Sequence, residues 1–313
     1  MTLLVALTWE PKLWVERFQK LLPDRKIAVL GEPFDRRTVR YAATWGPKPG
    51  SLSGLPMLDA IFSLGAGVDH LLSYPDLPDV PIVRVAQDDL THRMSEYVVM
   101  HCLMHLREQP RYDAQQRRKV WEDDASPPTA RDVRVGIMGF GVLGEDAARK
   151  LKVMGFDVAG WSRTPKEIEG FAMFSGTEGL DAFLARTDIL VTLMPLTPET
   201  RGILNRELFG KLARDGRLGG PVLINPGRGK LQVESDILEC LDDGTLKAAS
   251  LDVFETEPLP SESPLWSHPC VMVSPHNAAT SDPDATARYI VDQIRRYEAG
   301  QGFQNVVDKA RGY

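Results

Sequence analysis

Apolar residues along this chain follow two rhythms, short continuous runs that read as buried strands and longer stretches with apolar positions every three or four residues. The run Thr2-Leu3-Leu4-Val5-Ala6-Leu7 predicts a strand. It precedes a stretch, 11–22, in which Leu13, Trp14, Phe18, Leu21 and Leu22 keep helical spacing and Pro11 falls in the first turn. Further strands are predicted at 26–30, 39–45 and 60–64, separated by breaks such as Gly46-Pro47-Lys48-Pro49-Gly50. Residues 95–120 are rich in helix formers and predict one long helix, kinked at Pro110. The stretch 122–131 contains Ser126-Pro127-Pro128 and no apolar periodicity, so it reads as a linker.

Beyond it the alternation is plainer. Strands are predicted at 133–138, 157–161, 189–193, 222–224, 248–252 and 271–273, with helical segments such as 143–154 between most of them. A last helix, 284–299, aligns Ile290, Val291, Ile294 and Tyr297 on one stripe. Strands alternating with helices predict an α/β fold, a doubly wound parallel sheet covered on both faces.

Length and charge narrow the picture. A chain of 313 residues suggests about two domains. A net charge of −6 argues against nucleic acid or an anionic membrane as the main partner. Cys102, Cys240 and Cys270 are scattered, giving neither a disulfide framework nor a cysteine zinc site. The apolar start meets Glu10 and Pro11 without a basic lead, which is unlike a signal peptide, and no run is long enough for a spanning helix. The expected location is the cytoplasm.

Candidate chemistry begins at Gly139-Phe140-Gly141-Val142-Leu143-Gly144, between a predicted strand and a predicted helix. In that setting each glycine has a use. Gly139 permits the tight turn, Gly141 lets the backbone approach a pyrophosphate, and Gly144 lets helix and strand pack closely. The helix N-terminus offers unpaired N–H groups to the phosphates. An NAD site usually has an acid about 20 residues on, at the end of the next strand. Here that strand runs into Ser162-Arg163-Thr164-Pro165-Lys166, with Asp157 at its wrong end. Arg163 and the Ser162 and Thr164 hydroxyls suit a 2′-phosphate instead, with Lys166 a possible second charge. The expected cofactor is NADP(H).

Three later segments follow predicted strands: Asn225-Pro226-Gly227-Arg228-Gly229, Asp252 to Pro258, and Ser274-Pro275-His276-Asn277. Ligands of open α/β sheets bind outside the carboxyl ends of the strands. His276 suits a proton donor, because histidine titrates near neutrality. Glu257 suits the carboxylate that holds its ring. Arg228 can bind a substrate carboxylate through its planar fork. Asp252, nearer its strand, is assigned to the cofactor, and Met194-Pro195 after 189–193 to the cofactor's border.

These segments, together with Leu64-Gly65-Ala66-Gly67-Val68-Asp69, resemble the D-isomer-specific 2-hydroxyacid dehydrogenases over essentially the whole chain. Trp161-Ser162-Arg163, Ser263-Pro264-Leu265-Trp266 and the ending from Val307 to Tyr313 resemble the glyoxylate/hydroxypyruvate reductase A branch of that family. The resemblance implies NADPH-dependent reduction of small 2-ketoacids. It also implies a discontinuous, flavodoxin-like substrate domain, 1–94 with 286–313, around a Rossmann-type cofactor domain, 95–285. A homodimer formed through the cofactor domain and the long helix is implied as well. It assigns Gly139, Gly141, Val142, Leu143, Gly144, Ser162, Arg163, Thr164, Met194, Pro195, Asn225, Pro226, Gly227 and Asp252 to the cofactor. Trp45, Leu64, Gly65, Ala66, Gly67, Arg228 and Trp266 go to the substrate. The family's usual Ala-Arg-Gly is replaced here by Gly227-Arg228-Gly229 after Pro226.

Plainer readings stand beside these. His70, His92 and His268 read as structural, and Trp45 and Trp266 read equally well as packing residues. His101 and His105 share a helix face at a spacing metal ligands use, but no third ligand is evident, so no metal site is expected. A dinucleotide-sensing protein on the same scaffold is the alternative function; the presence of Arg228, Glu257 and His276 together counts against it.

Overall fold

The computed structural model describes every residue except Thr8, Ala125 and Tyr313. The chain forms two compact units, one built from residues 1–90 with 281–313 and the other from 91–280.

In the first unit the elements run β1 (Thr2–Leu7), α1 (Pro11–Leu21), β2 (Lys26–Val29), β3 (Val39–Trp45), β4 (Ala60–Ser63), α2 (Asp69–Leu72) and β5 (Ile82–Val83). The strands form a parallel sheet in the order β2-β1-β3-β4-β5. Every residue of β1 is buried because both faces of the sheet are covered. Leu3, Val5 and Leu7 join one core with Trp14 and Phe18 of α1 and with Ile290, Val291 and Ile294 near the C-terminus. Leu4 and Ala6 join the other. Alternate side chains of a strand point to opposite faces, so burial on both sides demands the unbroken apolar run seen in the sequence.

The helix α3 (Asp88–Leu106) begins in the first unit and continues in the second. The second unit then contains α4 (Gln109–Arg118), β6 (Arg134–Met138), α5 (Val142–Val153), β7 (Asp157–Ser162), β8 (Ala172–Ser175), α6 (Gly176–Ala185) and β9 (Ile189–Thr192). It closes with α7 (Arg206–Gly210), β10 (Val222–Asn225), α8 (Glu234–Asp242), β11 (Ala248–Leu251) and β12 (Val271–Val273). After it, α9 (Pro283–Glu298) returns the chain to the first unit.

The second sheet is also parallel, in the order β12-β11-β10-β9-β6-β7-β8. Its strand order reverses between β6 and β9, which is the crevice where doubly wound sheets bind dinucleotides. Val135 and Ile137 of β6 face one core and Met138 faces the other, and β9 and β10 alternate in the same way. Because all the strands are parallel, their carboxyl ends lie along one edge. That edge carries Gly139, Arg163, Leu193, Pro226, Asp252 and Ser274.

The single long helix expected over 95–120 is two helices. Glu108 adopts a left-handed conformation (φ 52°) between α3 and α4, and Pro110 sits in the first turn of α4. Proline lacks an N–H and would clash with the carbonyl four residues earlier, so α3 ends before it and a new helix starts on it. Lys247 donates to Glu108 and to the Leu218 carbonyl, and Glu108 also pairs with Arg111. The break is therefore tied to the sheet. Residues 121–124 and 126–129 have no regular structure, and Arg117, Arg118 and Lys119 at the end of α4 are exposed.

Candidate active site

The glycine loop follows β6. Gly139 has φ 96°, and a Cβ there would lie 2.6 Å from the Leu193 carbonyl carbon and oxygen and 2.8 Å from the Met194 nitrogen. Only glycine satisfies both the turn and this approach to the exit of β9. A Cβ on Gly144 would collide with the Gly139 carbonyl. Gly141, at the N-terminal cap of α5, differs: a Cβ there meets nothing within 4 Å. Two of the three glycines are thus explained by packing within the protein. The third leaves open space in front of a helix N-terminus, where an anionic ligand is favoured.

At the exit of β7, Arg163 and Thr164 are exposed, while Ser162 is buried and donates its hydroxyl proton to the Thr164 carbonyl (2.8 Å). Lys166 is exposed, and its Nζ donates to the carbonyl of Phe140 inside the glycine loop (3.0 Å). The hydroxyl and the ammonium expected for a 2′-phosphate both serve the local turns, and Arg163 and Thr164 face solvent. Met194 is buried at the exit of β9, and the Pro195 carbonyl accepts from Thr200 (2.8 Å).

The catalytic candidates come from three neighbouring strand exits. Asn225, fully buried, ends β10 and directs the loop after it. Its Oδ1 accepts from Thr192 (2.8 Å) and the Gly227 N–H (3.1 Å), and its Nδ2 donates to Gln232 (2.7 Å) and the Arg228 carbonyl (3.2 Å). Gly227 does not need left-handed space. A Cβ there would lie 3.0 Å from the Thr192 carbonyl oxygen, turned toward protein and tight. The departure from alanine therefore relaxes packing under the loop. Arg228 donates to the Gly227 carbonyl (2.8 Å), and its positive charge reaches Glu257.

His276 Nδ1 lies 2.7 Å from Glu257 Oε2, and Glu257 Oε1 accepts from the Phe254 N–H (2.9 Å). Burial pushes the Glu257 carboxyl upward. The hydrogen bonds from His276 and Phe254 and the charges of His276 and Arg228 outweigh it, so Glu257 stays below the usual glutamate value. An ionised Glu257 can only accept, so Nδ1 carries the hydrogen and Nε2 is left to exchange a proton with a ligand.

His276 itself has φ 52°, a left-handed conformation costing on the order of 1 kcal/mol for a residue with a side chain. Asp252 holds it there. Its carbonyl accepts from the His276 N–H (2.8 Å), its Oδ1 from Ser274 (2.6 Å) and the Asn277 N–H (3.0 Å), and its Oδ2 from the Ala278 N–H (3.0 Å). Burial raises the Asp252 carboxyl, and these donors oppose that rise. Assigned to the cofactor from the sequence, Asp252 spends most of its accepting capacity on the turn that carries the histidine.

Other expectations separate by unit. In the first, Trp45 lies over the 64–67 loop so closely that a Cβ on Gly65 would strike its ring, and His70 packs against Trp45 (centroids 4.7 Å apart). Leu64 is buried, while Ala66 and Gly67 are half-buried; Ser63 donates to the Gly67 carbonyl (3.0 Å). In the second, Trp266 is half exposed, with its ring N–H on the Pro260 carbonyl (2.9 Å). His268 accepts from the Cys270 N–H (3.2 Å). His101 and His105 both bond Ser250, at 2.9 and 2.8 Å. Among the described residues there is no group of three or more His, Cys, Asp or Glu side chains able to hold a metal, and no helix long and apolar enough to cross a membrane. Gln232, which binds Asn225 and the Val253 carbonyl (3.0 Å), escaped sequence reasoning, as did the clamp formed by Asp252. A buried amide in no motif gives no sequence signal.

Known proteins resemble this chain over nearly its whole length. Residues 99–278 match the D-isomer specific 2-hydroxyacid dehydrogenase, NAD binding domain. The chain is 40% identical over 311 residues to a glyoxylate/hydroxypyruvate reductase A of Yersinia enterocolitica, covering 97% of each. It is 51% identical to the NADPH-dependent glyoxylate/hydroxypyruvate reductase of Sinorhizobium meliloti solved with NADP and sulfate (TM-score 0.94, covering 100% of this chain and 99% of that one). A probable 2-hydroxyacid dehydrogenase of Rhizobium etli, solved with NADP, HEPES and L(+)-tartaric acid, is 50% identical (TM-score 0.94, with the same coverage). The chain belongs to the D-isomer-specific 2-hydroxyacid dehydrogenase family.

Proposed function

We propose that this protein reduces small 2-ketoacids, glyoxylate and hydroxypyruvate foremost, with NADPH. The observation that carries the reading is the 2.7 Å bond between His276 Nδ1 and Glu257, with the charge of Arg228 beside it. The open space at Gly141, the solvent-facing Arg163 and the absence of an acid at the end of β7 favour NADPH; the relatives solved with NADP support the same choice. Val142 and Leu143, in the first turn of α5, belong to the pyrophosphate end of this assignment.

When bound, NADPH supplies a hydride to the carbonyl carbon. Arg228 binds the carboxylate of the ketoacid through its guanidinium fork and draws electron density from the neighbouring carbonyl. His276 Nε2 gives its proton to the carbonyl oxygen as the alkoxide develops. Glu257 keeps Nδ1–H in place and the ring oriented through that transfer. In the first unit, the same reading gives the 64–67 loop and Trp45 a part in holding the ketoacid, and in the second it gives Trp266 a part in shaping the pocket.

We further infer a homodimer working in the cytoplasm. The unpaired cysteines agree with that location. The dimer reading is supported by an apolar groove of about 720 Å³ between α3 and α5, lined by Val99, Met100, Leu103, Met104, Val153 and Met154.

Initial rates test the reading. NADPH absorbance should fall on adding glyoxylate or hydroxypyruvate, and His276→Ala should bind NADPH normally yet lose at least about a thousandfold in kcat. NADPH binding without turnover in the unaltered protein would mean a dinucleotide sensor instead.

A further inference from the structure

Tyr97 lies on α3, in the second unit, and its hydroxyl reaches the strand exits through one serine. Its hydroxyl is 2.9 Å from Ser274 Oγ, and Ser274 Oγ is 2.6 Å from Asp252 Oδ1. The direction of the first bond follows from the second. Serine has a single hydroxyl proton, and a carboxylate oxygen can only accept it, so Ser274 donates to Asp252 and must accept from Tyr97. Burial keeps the Tyr97 phenol protonated well above its ordinary range, so it is a permanent donor. The Tyr97 ring is itself fixed against His101 (centroids 4.1 Å apart), which bonds Ser250 of β11.

The chain ends on a residue that grips the turn. Asp252 is 1% exposed, and through one carbonyl and one carboxylate it holds Ser274, His276, Asn277 and Ala278. Ser274 supplies its shortest bond and, among the described residues, the only one from a side chain. A buried carboxylate deprived of such a donor gives up a charge-assisted hydrogen bond and loosens whatever it holds.

We propose that Ser274, oriented by Tyr97, is a positioning residue for His276: the directional chain Tyr97–Ser274–Asp252 locks the left-handed turn that aims the imidazole. This rests on the role given to His276 above. Both hydroxyls act through Asp252. Their effect is read in kcat and in the state of the histidine ring, with little change in NADPH affinity.

The test uses Ser274→Ala, Ser274→Thr and Tyr97→Phe in the full chain, with two readouts. In steady-state rates, Ser274→Ala should lose about ten- to a hundredfold in kcat with the dissociation constant for NADPH within about twofold. Ser274→Thr, which keeps the hydroxyl, should recover to within about threefold, and Tyr97→Phe should lose about three- to tenfold. In the protein without cofactor, the imidazole resonances of His276, assigned by comparison with His276→Ala, should move in Ser274→Ala and Tyr97→Phe and return toward their original place in Ser274→Thr. Unmoved resonances in Ser274→Ala and Tyr97→Phe, or a threonine variant no better than alanine in both readouts, would overturn the proposal. Should Ser274→Ala not fold, Tyr97→Phe and Ser274→Thr decide alone. If the unaltered protein turns over no ketoacid, the functional reading fails, and the resonances still decide whether the chain aims His276.

Discussion

A Cβ on Gly229 would overlap the carbonyl group of Phe254, so the loop after β10 and the segment after β11 touch through bare backbone. This contact brings Arg228, one residue earlier, to where its charge is felt by Glu257, three residues beyond Phe254. Arg228 and Glu257 are thus brought together by the backbone of their neighbours. Arg163 is an exposed side chain. The Ser162 proton goes to Thr164 and Lys166 is bonded to Phe140, and in the proposed function the 2′-phosphate falls to Arg163. Arg163→Ala should weaken NADPH binding about ten- to a hundredfold, the worth of a charge-assisted pair, and leave NADH within about threefold. Dissociation constants from quenching of tryptophan fluorescence measure both, and equal weakening of the two nucleotides would remove Arg163 from the 2′-phosphate site.

Helix α3 shows what an element adds that single residues do not. Tyr97, His101 and His105 recur at every fourth position, on one face, and all three meet the sheet through serine hydroxyls. In the sequence the two histidines suggested only an i, i+4 metal pair without a third ligand, because the partner, Ser250, lies far along the chain. The strands at the centre of both sheets were legible, since burial on two faces forces long apolar runs. The short edge strands β5 and β8 were not, because two to four residues with one partner strand need no such run. The glycine loop and the Arg228, Glu257 and His276 set were legible as motifs, while the Asp252 clamp depends on bonds across β11 and β12 that no spacing encodes. The histidine pair has a measurable consequence. Burial lowers His101 to about 4 and His105 to about 3, the latter helped by His101 and Lys247. In the unfolded chain both protonate near 6.5, so below that pH the unfolded state binds more protons and the fold loses stability. The loss should run from about pH 6.5 downward until the folded-state values are reached, at up to about 1.4 kcal/mol per pH unit for each group. Urea midpoints between pH 7 and pH 5 should fall accordingly, and less steeply in His105→Gln. Identical slopes in the two proteins would show that His105 is not held neutral.

At the scale of the whole molecule, the surface of the second unit carries an apolar groove. Met100 and Met154 are about half exposed and Val153 is 85% exposed, all along the groove between α3 and α5, and Trp121, just beyond α4, is 97% exposed. Scattered apolar residues on a surface need no explanation, but a contiguous groove of them flanked by Glu96, Arg107 and Lys150 has the make-up of an interface, an apolar centre with a charged rim. A twofold contact presents the same patch to itself, so one substitution acts twice. Val153→Asp would set two carboxylates into the centre of the contact, and Met100→Glu would do the same from α3. Each should convert a dimer into a monomer at micromolar concentration while leaving the circular dichroism of the fold unchanged, because both side chains already face solvent within one chain. Light scattering coupled to size exclusion gives the mass directly. If the unaltered protein elutes with the mass of a single 34.8 kDa chain, or the doubled mass survives both substitutions, the groove between α3 and α5 is not the surface that joins two copies.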